Sequence, residues 1–253
     1  MFRFARWVIH ALFIDRWREI EAESDTRSRD LDRRPFVILV ASAILLTLVR
    51  FWGNRQTLNS VFGIDPDGPF AILNGEILWV ATIFVGFFIV PALILKLMGE
   101  PVLDYGLRSR GFAKHVKVYV ILYLVVLPFI IVASTSPRFL ETYPFYRLAG
   151  RSAFDFLVFE AFYALQFLAV EFFFRGFMLF GLKARFGAHA IFVTIIPYAM
   201  IHFQKPFAEA LGATLAGLAL GTLALWTRSI YCGALVHISV AVTMDVFAIL
   251  RLR

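Results

Sequence analysis

The chain has little charge and almost no cysteine. Only 17% of its 253 residues are Asp, Glu, Lys or Arg, and Cys232 is the one thiol. A single cysteine excludes an internal disulfide framework and any multi-cysteine metal site, and Cys232 reads as a small packing residue. No internal repeat, low-complexity tract, HExxH sequence or soluble domain is present. The absent repeat argues against the many transporters built from one. Basic residues exceed acidic ones, giving a net charge of +7, but no aromatic-interleaved basic patch accompanies them. Nucleic acid is therefore not an expected partner.

In place of charge there is apolar bulk. Hydrophobic residues make up 60% of the chain and Phe alone occurs 29 times, well beyond the composition of soluble domains. The partner this implies is a lipid bilayer. Apolar runs at 36–52, 77–98, 116–133, 154–182, 190–203, 207–226 and 230–250 predict an all-α, polytopic membrane helix bundle of about seven transmembrane segments. The start, MFRFARWVIHALFIDRW, has apolar residues at helical spacing and predicts an interfacial amphipathic helix. Three regions are expected: an amphipathic segment over 1–34, three accessory helices over 35–152, and a further helix bundle over 153–253. Small residues at Ala213, Gly217 and Gly221 recur every four positions and predict close helix packing.

Lys and Arg cluster in connections, and this sets the expected topology. The N-terminal region, the loop with Arg108, Arg110, Lys114 and Lys117, the turn with Lys183 and Arg185, and Arg228 fall on one side when seven crossings are threaded. That side is expected to be cytoplasmic, in a bacterial inner (plasma) membrane. GIDPDGP, from Gly63 to Pro69, reads as an external loop.

Against this background four ionisable residues stand inside apolar segments: Glu171 and Arg175 in AVEFFFRGF, His202 in YAMIHF and His237 in ALVHIS. Charge at membrane depth is costly, so such residues face a cavity or one another. Glu171 and Arg175 share a helix face, which suits a structural ion pair as well as a functional one. The histidines add proton exchange near neutral pH. Glu171 lies 12 residues before Lys183 and His202 lies 14 after Ala188, so both are expected roughly 18 to 21 Å from the same face. His237 reaches roughly 13 Å by the same count. The fifth segment is too short to cross, which places the following turn, HFQKPFAE, below the surface, with Lys205 and Glu209 bordering the cavity. Glu209 also suits the first turn of the sixth helix, where a carboxylate complements the dipole.

At these residues the chain resembles the CAAX protease and bacteriocin-processing (CPBP) intramembrane proteases, which include the type II CAAX prenyl endopeptidases. The family's EExxxR, FxxxH and HxxxN are similar to VEFFFRG at 170–176, YAMIH at 198–202 and HISVA at 237–241, in that order. The resemblance implies an endopeptidase acting on a membrane-associated protein or peptide, CAAX processing included. By position it assigns Glu171 to the second family Glu, Arg175 to the Arg, and His202 and His237 to the two histidines. Val170 stands where the family has its first Glu and Ala241 where it has Asn. A replacement carboxylate is sought at Glu171 itself, at Glu209, or less suitably at Asp245. Water activation without a cofactor and a catalytic zinc held by Glu171, His202 and His237 both stay open, because two His and a carboxylate suffice for zinc. A catalytically inactive membrane immunity or scaffold protein is the alternative that Val170 and Ala241 suggest.

Overall fold

The computed structural model describes residues 10–22, 32–65, 67–109 and 112–252. The expected amphipathic start lies partly outside them, and so does Arg110. Among the described residues the chain is helical throughout: α1 (Asp15–Ala22), α2 (Arg33–Trp52), α3 (Arg55–Phe62), α4 (Ala71–Leu97), α5 (Phe112–Ala133), α6 (Pro137–Thr142), α7 (Ala153–Phe186), α8 (His189–Met200), α9 (Phe207–Thr227) and α10 (Tyr231–Leu252). Six of these, α2, α4, α5, α7, α9 and α10, are long and apolar enough to span a membrane. The seventh apolar helix, α8, has 12 residues and rises only about 18 Å. The all-α bundle of about seven segments is therefore the architecture found, with α3 and α6 as short additions between the spans.

Local signals explain the boundaries. Asp32 and Asn54 cap α2 and α3 by accepting backbone N–H bonds from Arg34 and Thr57. Ser152 caps α7 through the Asp155 N–H, and Asp155 in turn accepts from Arg151 at 2.7 Å and from the Tyr146 hydroxyl at 2.8 Å. That network fixes the start of the helix that carries Glu171 and Arg175. The α9 helix ends at Arg228, which takes a left-handed φ of 53°.

Contacts at the helix ends support the expected threading. At one end Arg34 pairs with Glu100 at 3.0 Å, the Ile230 N–H donates to the Gly106 carbonyl at 3.0 Å, and the Ala188 N–H donates to Glu21 at 3.0 Å. These join the N-terminal region, the connection after α4, the turn between α7 and α8 and the turn between α9 and α10. At the other end Arg55 pairs with Glu76 at 2.6 Å and Phe70 meets Phe154. The described part of the amphipathic start docks on protein: Trp17 donates to the Thr222 hydroxyl at 3.1 Å and meets Phe192 edge-on. Its contact with lipid is correspondingly smaller than a purely interfacial helix would have.

The small-residue row of α9 faces α8. A Cβ on Gly217 would press Ile195 and Tyr198, and one on Gly221 would press Ile191, so the two helices approach as the spacing predicts. Cys232 is buried in a packing cluster with Tyr119, Leu220, Leu223 and Val236.

Candidate functional site

Three segments converge on one buried polar cluster. Glu171 closes the first part of α7, and from Phe172 to Phe180 the same helix widens into π-helical turns. Arg175 lies in that widened stretch, a feature often found at functional positions. Its Nη1 stands 3.2 Å from Glu171 Oε1, with the two side chains 3% and 1% exposed. The guanidinium also lies over the Tyr198 ring, 4.0 Å from its centre.

From α10, His237 Nδ1 stands 3.1 Å from the same Glu171 Oε1. Against an ionised carboxylate that nitrogen is the donor, so the contact orients the ring. Gly233, one turn earlier on α10, makes room for the carboxyl: a Cβ there would lie 2.9 Å from Glu171 Oε2. Phe167 packs against the His237 ring with centroids 4.5 Å apart.

His202 occupies the turn after α8, where its Nδ1 is 2.8 Å from the Tyr198 carbonyl. A carbonyl only accepts, so Nδ1 carries the proton and Nε2 keeps its lone pair in the neutral ring. Tyr198 sits between the two imidazoles, 4.8 Å from His202 and 6.3 Å from His237 by ring centres. These are the segments that the spacing expected to meet. That spacing assigned no role to Tyr198, although a tyrosine one helical turn before His202 was the available signal.

Glu209 lies in a neighbouring arrangement. Its Oε1 accepts from the Tyr143 hydroxyl at 2.7 Å and faces Lys205 Nζ at 3.8 Å, while Oε2 has no hydrogen-bond partner. Lys205 also donates to the Tyr143 hydroxyl at 2.9 Å and lies over the Phe145 ring. Burial pushes the Tyr143 hydroxyl well above its ordinary range, and Glu209 adds to this. Burial pulls the Lys205 ammonium down, opposed by Glu209. Glu209 is therefore bound into a Tyr143–Lys205 cluster, and it makes no direct bond to Glu171, His202 or His237. Asp245 does not replace the expected Asn either: it is fully buried and accepts the Phe145 N–H at 3.1 Å.

Val170 and Ala241 are packing residues. Val170 belongs to the main core cluster and Ala241 packs with Tyr146, Phe159 and Tyr163. The Nδ1 contacts of His237 and His202 engage one nitrogen of each ring and leave Nε2 as the remaining ligand atom for a metal. Among the described residues no three His, Cys, Asp or Glu side chains come together as a metal shell.

No curated protein and no solved structure matches the chain. The comparison with protein families gives a match over residues 152–243, just over a third of the chain, which contains Glu171, Arg175, His202, Glu209 and His237. That segment of this multi-pass membrane protein matches the family of Rce1-like type II CAAX prenyl endopeptidases, a protease family and the one its motifs resemble.

Proposed function

We propose that the protein is an intramembrane endopeptidase that hydrolyses a peptide bond of a membrane-associated protein or peptide. The observation that carries this reading is the part-buried Glu171–His237 contact, braced by Arg175 and set beside His202 through Tyr198. Water is activated by His202, whose Nε2 lone pair is freed by the Nδ1–H bond to Tyr198. In the step His237, oriented by Glu171 at Nδ1, carries a proton on Nε2 as well and donates a hydrogen bond from it to the carbonyl oxygen as negative charge develops there. Arg175 fixes the Glu171 carboxylate and offsets its charge.

This assigns Glu171 an orienting and electrostatic role through His237, so the site needs no second carboxylate at Val170. Glu209 stands outside the chemical step. The end bearing Arg34, Lys183 and Arg228 faces the cytoplasm of a bacterial cell, in keeping with its positive charge.

Purified full-length protein in lipid nanodiscs is tested on farnesylated peptides ending in a CAAX sequence and on unmodified hydrophobic peptides. Cleavage by the wild type, lost in both His202→Ala and His237→Ala and retained in Glu209→Gln, is the expected result. Cleavage unchanged by either histidine substitution overturns the assignment. A second reading, an inactive relative that shields a membrane partner, is favoured by the apolar packing of Val170 and Ala241; it predicts no cleavage of any peptide and a cellular phenotype that survives His202→Ala.

A further inference from the structure

A second polar contact crosses the seam between α7 and α10. Glu160 on α7 is 8% exposed and Asp245 on α10 is 0% exposed. Their carboxyls face each other within hydrogen-bonding reach. Asp245 Oδ1 accepts the Phe145 N–H, but Asp245 Oδ2 and both oxygens of Glu160 have no donor among the described residues. Two bare carboxylates in this position would repel one another in a medium that cannot solvate them.

The surrounding charges do not resolve the conflict. Lys205, from the turn before α9, faces Asp245 but is held by Glu209 and the Tyr143 hydroxyl. Glu76, from α4, adds negative charge and is itself matched by Arg55 at 2.6 Å. Tyr163, on the same face of α7 as Glu160, brings a hydroxyl and no charge at neutral pH. Lys205 and Arg55 are each already matched by a carboxylate, Glu209 and Glu76, so neither can fully neutralise two further carboxylates at the Glu160–Asp245 pair. One proton between the two carboxyls removes the repulsion and supplies the missing donor.

We propose that Glu160 and Asp245 form a proton-binding site that ties α7 to α10 through a carboxylic acid–carboxylate hydrogen bond. The proton is its ligand. Phe167 lies between this tie and the site already described, packed on Tyr163 on one side and on His237 on the other. Glu160 and Asp245 are thus positioning residues: they set the register of α10 against α7, and with it the seat of His237 against Glu171. The inference rests on the packing of this seam and stands whether or not the neighbouring site hydrolyses peptides.

Infrared spectroscopy of the full chain in nanodiscs at neutral pH tests it. The wild type is expected to show a protonated-carboxyl C=O stretch that moves on exchange into D2O, and Glu160→Gln and Asp245→Asn should each abolish it with helix content unchanged. Carbon-13 labelling of the aspartate and glutamate carboxyls in the wild type must shift the same band, a check that needs no variant to fold. A wild-type spectrum without the band, or a band that survives in both variants, overturns the proposal.

Discussion

The first three spans are more apolar on average than the last three, and less covered by protein. Between 11% and 28% of positions in α2, α4 and α5 are buried by the rest of the protein, against 39% to 50% in α7, α9 and α10. Phe129, Val132 and Leu124 of α5 point outward, as suits a helix whose neighbour is lipid. By contrast, the middle of α7 is enclosed from Ala169 to Leu179. Average hydropathy therefore admits all six to the membrane, and its drop in α7, α9 and α10, together with their ionisable residues, marks the segments that face protein. The division is not absolute, since Glu76 on α4 is buried too and brings Arg55 to the rim of the inner bundle.

Substitutions can break this contrast or sharpen it. The largest effect is expected at Arg175: replacing it with Ala leaves Glu171 without its guanidinium partner in a closed interior, a loss of about 3–5 kcal/mol. Thermal unfolding in detergent should fall by many degrees. Gly176→Ala comes next, because the new Cβ would lie 2.8 Å from the Tyr105 carbonyl oxygen, a backbone atom that cannot swing aside. Overpacking of this kind costs about 1–3 kcal/mol, again read as a lowered melting temperature.

A smaller loss is expected where the described part of the N-terminal region meets the bundle. Trp17→Phe keeps the ring but removes the bond to Thr222, worth about 0.5–1.5 kcal/mol. Limited proteolysis within the first 34 residues should quicken while the rest of the bundle stays resistant. At the bottom of the scale stands Leu124→Ala in α5, where a lipid-facing change should alter stability by less than about 0.5 kcal/mol. A loss at Leu124 comparable with that at Arg175 would erase the distinction between the two groups of spans.

Most of the span pattern was legible because crossing a bilayer demands length and apolarity, both of which a sequence displays directly. The depth count, built on the fixed rise of a helix, put Glu171 and His202 at roughly 18 to 21 Å from one face and His237 lower, at roughly 13 Å. In the structure it is Glu171 and His237 that touch, because the count fixes depth along each helix and not its tilt or rotation. The π-helical turns after Glu171 were not legible, because a change from four-residue to five-residue bonding leaves no signature in composition. Nor was the pairing of Glu160 with Asp245. Taken singly, each is a carboxylate in an apolar helix, and only the antiparallel register of α7 and α10 makes them partners. Glu209 was placed near the cavity by its position in the chain, but Tyr143 arrives from a connection whose path no periodicity foretells.

The brevity of α8 bears on the membrane around it. A helix of about 18 Å beside a hydrocarbon layer of about 30 Å is a mismatch that lipids answer by thinning. Ile196, Met200 and Phe203 face outward along it, so the thinned annulus lies against α8 and the turn that carries His202. For the endopeptidase proposed above, a peptide lying at the membrane surface there would meet a dimple in the bilayer, and the distance it must sink to reach the imidazole would be shortened by the lipids themselves.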